Sequence, residues 1–220
     1  FTDQIIIKTL SPKKTTIEWR ADITLALHPN GMDFYAYQGE NEIGSWRVYS
    51  VGGGSIRDEI NFAERENHIY EMSSMLDMLN FCNETGRNFW ELIDIYEEKD
   101  VWDHLELVWK TMKEVITKGL DNEGVLPGNL RVPRKAATYN IKANNIGFVL
   151  GEIGLLFAYA LAVSEENASG NIVVTAPTCG SCGVLPAVLL FLKQSYQIND
   201  NRILKAMATA GLIGNIVKTN

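Results

Sequence analysis

The run Ile146 to Val163, IGFVLGEIGLLFAYALAV, constrains this chain more than any other stretch. It is about as long as a short membrane span. Glu152 and the glycines at 151 and 154 interrupt it, no basic flank marks an orientation, and the neighbouring segments are amphipathic. Those features point to a helix buried in protein rather than in lipid. Such a helix needs several layers of partner helices, and 220 residues at 46% apolar composition can supply them.

The partners are legible as stripes. In HIYEMSSMLDMLNFC the apolar positions Ile69, Met72, Met75, Leu76, Leu79 and Cys82 recur at three and four, which predicts a helix with Cys82 in the core. Gly86 reads as its stop, and Asn88 with Glu91 as the capping box of the next helix. Trp102, Leu105, Val108, Trp109, Met112, Val115 and Ile116 form a third stripe, ending near Gly119. The stretch VLPAVLLFLKQSY predicts a further helix, and NASGNIVVTAP a short strand or extended piece before it.

The first fifty residues carry a different period. QIIIKTL and TTIEWRADITLAL read as strands, HPNGM as a turn, and EIGSWRVYSV as another strand before a glycine run. The expected fold class is therefore α+β: a small N-terminal α+β piece over residues 1–56, then a mainly α-helical domain over 57–220. The opening Phe1 and the apolar run that stops at Asn220 read as a fragment.

Charge narrows the partners. A net charge of -7 and a pI near 5.1 argue against nucleic acid, which requires clustered Lys and Arg. Between Asp58 and Glu123 there are 17 Asp and Glu against 6 Lys and Arg, the composition of a solvated helical face. Three cysteines are too few, and odd in number, for a disulfide framework, which favours a reducing cytoplasm.

Several short stretches could carry chemistry. In YSVGGGS the successive glycines Gly52, Gly53 and Gly54 can turn their N–H groups inward as an anion nest, with Ser50 adding a hydroxyl. His28 in HPNGM titrates in the range of an acid or base. In LPGNLRVPRK, Arg134 offers a fork that matches a carboxylate, and Lys135 a proton acceptor if burial depresses its pKa. In TAPTCGSCGVLPAV, Cys179 and Cys182 lie on a loop that leads into a helix N-terminus, where thiolates and anions are favoured. Thr178 and the N–H groups from Gly180 onward would face the same cavity. A C-x-x-C pair can chelate zinc, exchange disulfides or hold part of an iron–sulfur cluster. A closed zinc site wants four ligands, and Cys82 and the scattered histidines do not complete one.

In this order, HPNGM, YSVGGG, LPGNLRVPRKA and TAPTCGSCGVLPAV resemble the iron–sulfur-dependent bacterial L-serine dehydratases, or L-serine ammonia-lyases, in their single-chain form. The resemblance covers essentially the whole chain. It implies a 4Fe-4S cluster with one iron open to substrate as a Lewis acid, no pyridoxal phosphate, and elimination of water from L-serine to give pyruvate and ammonia. The cysteine of the family's P-T-x-G-x-C-G motif falls on Cys182, a metal ligand by this carry-over. Cys179 occupies a position that is often asparagine in relatives, and is either a second ligand or a neighbour of the cluster. The remaining cluster cysteines are expected beyond Asn220, and a serine-rich, histidine-containing motif before Phe1.

The resemblance further implies that residues 1–56 end a smaller β domain and that 57–220 begin the catalytic domain. Ser50, Gly52, Gly53 and Gly54 are expected to hold the substrate carboxylate. Thr178, Gly180 and Arg134 would line the substrate pocket, with His28 and Lys135 as candidate catalytic groups. The expected partners are L-serine and a second copy in a homodimer, with neither nucleic acid nor membrane. The competing class is a non-enzymatic fragment whose C-x-x-C binds zinc or pairs oxidatively.

Overall fold

The computed structural model describes residues 2–52, 55–62, 69–72, 74–175 and 179–219. The chain divides into two compact units, Phe1–Asn67 and His68–Asn220. The first is a small sheet with a short helix, and the second is helical, which is the α+β class the sequence predicts.

In the first unit α1 (Thr2–Leu10) precedes a three-stranded antiparallel sheet of β1 (Gly31–Gln38), β2 (Asn41–Gly52) and β3 (Ser55–Asp58), in the order β1-β2-β3. Two strand expectations fail here. QIIIKTL is the helix α1, with Asp3 in its first turn and Lys8 in its last, where each suits the helix dipole. Strand propensity is expressed only against a neighbouring strand, and this segment has none. TTIEWRADITLAL forms no strand, because the Ile23 N–H bonds back to the Arg20 carbonyl at 3.1 Å and Arg20 closes on Asp22, so a turn cuts the alternation.

The sheet itself follows from its turns. Gly39, at φ 64°, makes the left-handed corner between Gln38 and Asn41 that a tight hairpin requires. Asp33 lies opposite Arg47, and the pair meets through two oxygens. Tyr49 is buried and packs edge-on against Phe62 at 5.4 Å.

The second unit has α2 (Met75–Thr85), α3 (Glu91–Tyr96), α4 (Asp100–Asp121), α5 (Ala136–Asn145), α6 (Phe148–Ala168), α7 (Val184–Ser195) and α8 (Asp200–Thr219). Helix α2 starts later than its apolar stripe, because the Ser74 hydroxyl accepts from the Asp77 N–H and caps it there. Gly86 ends it at φ 70°, as predicted. Of the predicted capping box only half forms: Glu91 accepts from the Asn88 N–H at 2.7 Å, while the Asn88 amide turns to the same carboxylate. Cys82 is buried with Met78, Leu92 and Leu212 in a core of α2, α3 and α8. Residues 171–175 run without forming a strand.

Helix α6 is the axis of the unit. Gly119 of α4 approaches it so closely that a Cβ there would lie 2.4 Å from the Ala162 carbonyl oxygen. Ala158, Tyr159, Ala162 and Val163 are buried, and the last three join Val115, Ile116, Ala136, Cys182 and Ala187 in one cluster. The opposite stripe, Leu150, Ile153 and Phe157, is exposed, so α6 is buried on one side rather than all round. Among the described residues no helix is long and apolar enough to cross a membrane.

Candidate functional site

The polar end of α6, SEENASGN, organises the second unit's candidate residues. Glu166 has a side chain of 0% exposure and is fully engaged. Its Oε1 accepts from Asn122 Nδ2 at 2.7 Å and Arg134 Nη1 at 2.8 Å. Its Oε2 accepts from Asn171 Nδ2 at 2.8 Å and lies 3.4 Å from Lys118 Nζ. Burial pushes this carboxyl up, but the bonds from Asn122 and Arg134 and the charges of Arg134 and Lys118 outweigh it and hold it below the usual carboxylate range.

Glu165 works beside it. Its Oε1 accepts from the backbone N–H groups of Lys135 at 2.6 Å and Ala136 at 3.2 Å, capping the start of α5 from a different helix. Its Oε2 is buried with no hydrogen bond among the described residues, 3.9 Å from Arg134 Nη1. Arg134 also donates through Nη2 to Ser169 Oγ at 2.6 Å. The loop that delivers it folds as a short hairpin, with Val125 bridging Pro133 and the Arg134 N–H bonded to the Gly124 carbonyl at 2.9 Å.

The cysteine loop meets the same helix end. Asn167 Nδ2 donates to the Cys179 carbonyl at 3.1 Å, the oxygen that also accepts from the Cys182 N–H at 3.3 Å. Gly183 then seats α7 on α6: a Cβ there would lie 2.3 Å from the Ala160 carbonyl oxygen. Cys179 is exposed and Cys182 buried. Burial, and next the neighbouring Cys179, push the Cys182 thiol up.

The structure thus brings Arg134, Lys135, Cys179, Gly180 and Cys182 onto segments held by one helix end. The Lys135 side chain is exposed, while Arg134 is 8% exposed and spent on Glu166 and Ser169. In the first unit His28 and Ser50 meet through Asn30: His28 Nδ1 accepts from the Asn30 N–H at 3.2 Å, and the Ser50 N–H donates to the Asn30 carbonyl at 2.9 Å. Gly52 pairs with Ser55 at the end of β2. Gly53, Gly54 and Thr178 lie outside the described residues.

Sequence reading missed Glu165, Glu166 and Asn167, having ended the helix at Val163. The available signal was two successive acids on the continuation of an apolar helix, where burial demands partners.

Among the described residues no group of three or more His, Cys, Asp or Glu side chains is arranged to hold a metal ion. Cys82 sits in a different core cluster from Cys182. Cys179 and Cys182 therefore fit a metal or cluster only as part of a ligand set. Two surface depressions of about 360 and 480 Å³, on the sheet and beside α4 and α8, contain none of the candidate residues.

Residues 18–220 match the family model described as serine dehydratase alpha chain. The chain is 37% identical to L-serine dehydratase 1 of Escherichia coli over 210 residues, covering 89% of this chain and 46% of that protein. It is 36% identical to L-serine dehydratase 2 of the same organism over 223 residues, or 95% of this chain and 49% of the relative. The L-serine dehydratase of Streptomyces coelicolor is 33% identical over 89% of this chain and 46% of its own length. The chain spans about half the length of the curated relatives it matches.

Proposed function

The chain belongs to the serine dehydratase alpha-chain family, and on that premise we propose that it carries part of an L-serine dehydratase, which eliminates water from L-serine and yields pyruvate and ammonia. The observation that carries the reading is the convergence of two of the four motifs, LPGNLRVPRKA and TCGSCG, on the end of α6. The first unit is then the end of a smaller β domain and the second the beginning of the catalytic one, in a cytoplasmic homodimer.

The chemistry asks for a held carboxylate, a proton acceptor at Cα and help for the leaving hydroxyl. Ser50 and the Gly52 to Gly54 run supply donors to the carboxylate. His28 already accepts a backbone N–H at Nδ1, which in the neutral ring assigns the proton to Nε2 and makes that atom a donor toward substrate. Lys135 is the candidate base this chain offers, its backbone pinned by Glu165 and its side chain exposed. Arg134 is bound to Glu166 and Ser169, and serves the pocket by holding the loop that carries Lys135. Thr178 and Gly180 are assigned to the substrate on the family resemblance.

The finer reading is a 4Fe-4S cluster with Cys182 as a ligand and Cys179 as a second ligand or close neighbour, completed by ligands beyond the described residues. When bound, such a cluster supplies a Lewis acid for the leaving hydroxyl. The test is the anaerobic visible spectrum and iron content of the protein, with pyruvate release from L-serine assayed on the same sample. An oxygen-sensitive band with turnover supports the reading. Zinc, or no metal and no pyruvate, returns the C-x-x-C to a structural or redox role.

A further inference from the structure

The segment from Asn171 to Cys179 is tied at both ends by successive residues of α6. At its start, Glu166 holds Asn171 twice, through the side-chain bond at 2.8 Å and through its carbonyl to the Asn171 N–H at 3.1 Å. At its end, Asn167 holds the Cys179 carbonyl. That oxygen is not an arbitrary anchor, because it closes the Cys179–Cys182 turn by accepting the Cys182 N–H. A donor placed there fixes the turn itself, and with it the relative placement of the two sulfur atoms.

We propose that Asn167 is a positioning residue for the Cys179–Cys182 pair, acting through the Cys179 carbonyl, and that Glu166 fixes the other end of the same segment. The catalytic half of this inference rests on the dehydratase reading; the geometric half does not. Asn167 is half-buried and its amide is the donor, so the isosteric Asn167→Asp variant removes the bond while keeping the shape. Partners that orient such groups from behind typically matter about 10–100-fold for metal affinity or activity.

The experiment measures site-resolved iodoacetamide labelling of the reduced, metal-free protein, with Cys82 in the separate α2, α3 and α8 core as the internal control. In Asn167→Asp, Cys182 labelling is expected to rise about fivefold, the population change that loss of one ordinary hydrogen bond permits. Cys82 stays unchanged, and Asn167→Gln, which keeps an amide donor, stays within about twofold of the parent by the same reasoning. In the active protein, kcat for L-serine falls about tenfold in Asn167→Asp while KM holds within about twofold. Unchanged Cys182 labelling, or Cys82 labelling that rises in step with it, overturns the proposal. A parent protein that labels as expected but turns over no L-serine sinks the dehydratase reading and the catalytic half with it, and leaves the geometric half supported.

Discussion

Arg134 donates to Glu166 across 2.8 Å with both side chains withdrawn from water, at 8% and 0% exposure. Removing one partner of such a pair leaves the other charge buried, which typically costs about 3–5 kcal/mol. Lys118, Asn122 and Asn171 remain on Glu166, so Arg134→Met is expected at the lower end, about 3 kcal/mol by urea unfolding. Arg134→Lys should recover less than half of that, because one ammonium cannot span Glu166 and Ser169 as the two Nη atoms do. A loss under about 1 kcal/mol in Arg134→Met would show the pair to be dispensable.

The same carboxylate makes stability depend on pH. Its folded pKa lies below the ordinary value, despite burial, because hydrogen bonds and cations favour the charged form. The unfolded chain therefore binds more protons near the carboxylate range, and stability rises with pH there. The contribution is fully present above the unfolded value of about 4.3 and is lost as pH falls through the lower folded one. The gap in urea midpoint between the parent and Glu166→Gln should be widest at neutral pH and narrow from about pH 5 to pH 3. A gap that stays constant over that range would mean that the charge is not what Glu166 contributes.

Gly183 and Gly180 flank Cys182 closely in sequence yet make opposite predictions. A Cβ at 183 would collide with the Ala160 carbonyl oxygen at 2.3 Å, whereas one at 180 meets nothing within 4 Å among the described residues. Backbone cannot yield as a side-chain tip does, so Gly183→Ala should cost about 1–3 kcal/mol and loosen α7 from α6. Gly180→Ala should leave stability within about 0.5 kcal/mol. If Gly180 lines the substrate pocket, its methyl raises KM for L-serine with the thermal midpoint unchanged, and an unaltered KM removes it from the pocket.

Helix α4 was legible because its apolar stripe keeps a single period and packs as that period demands: Trp109, Met112, Val115 and Ile116 are all buried. The α2 stripe was read on the wrong face, since Ile69, Leu76 and Leu79 are exposed while Met78 and Cys82 turn to the core against Leu92 and Leu212. The N-terminal strands were half legible. The β2 strand formed because β1 and β3 flank it, although its burial does not alternate, with Val48 and Tyr49 both buried and Ile43 and Trp46 exposed; the isoleucines of α1 had no partner strand to make their propensity count. The end of α6 was illegible for another reason. Glu165, Glu166 and Asn167 look like an ordinary polar helix terminus, and only the approach of residues 118, 122, 134, 135, 171 and 179 from elsewhere in the chain makes them a hub. Arg134 and Lys135 show the same limit from the other side, since sequence marks both as candidate donors but not which one Glu166 has claimed.

The three thiols should separate by reactivity in the reduced, metal-free protein. Cys179 is exposed, while Cys82 and Cys182 are buried, and burial pushes both of those thiols up. The thiolate is the nucleophile, so a raised pKa slows attack on top of the steric block. A disulfide reagent at pH 7 should therefore titrate one fast thiol, Cys179, and two slow ones. Raising the pH toward 9 speeds Cys182 only as far as its turn opens, so its rate should stay below that of Cys179 throughout. The Cys179→Ser variant should lose the fast phase alone. If Cys182 instead reacts as fast as Cys179, the turn is open in solution, and neither its burial against Ala136 and Val163 nor the hold of Asn167 on its carbonyl partner survives.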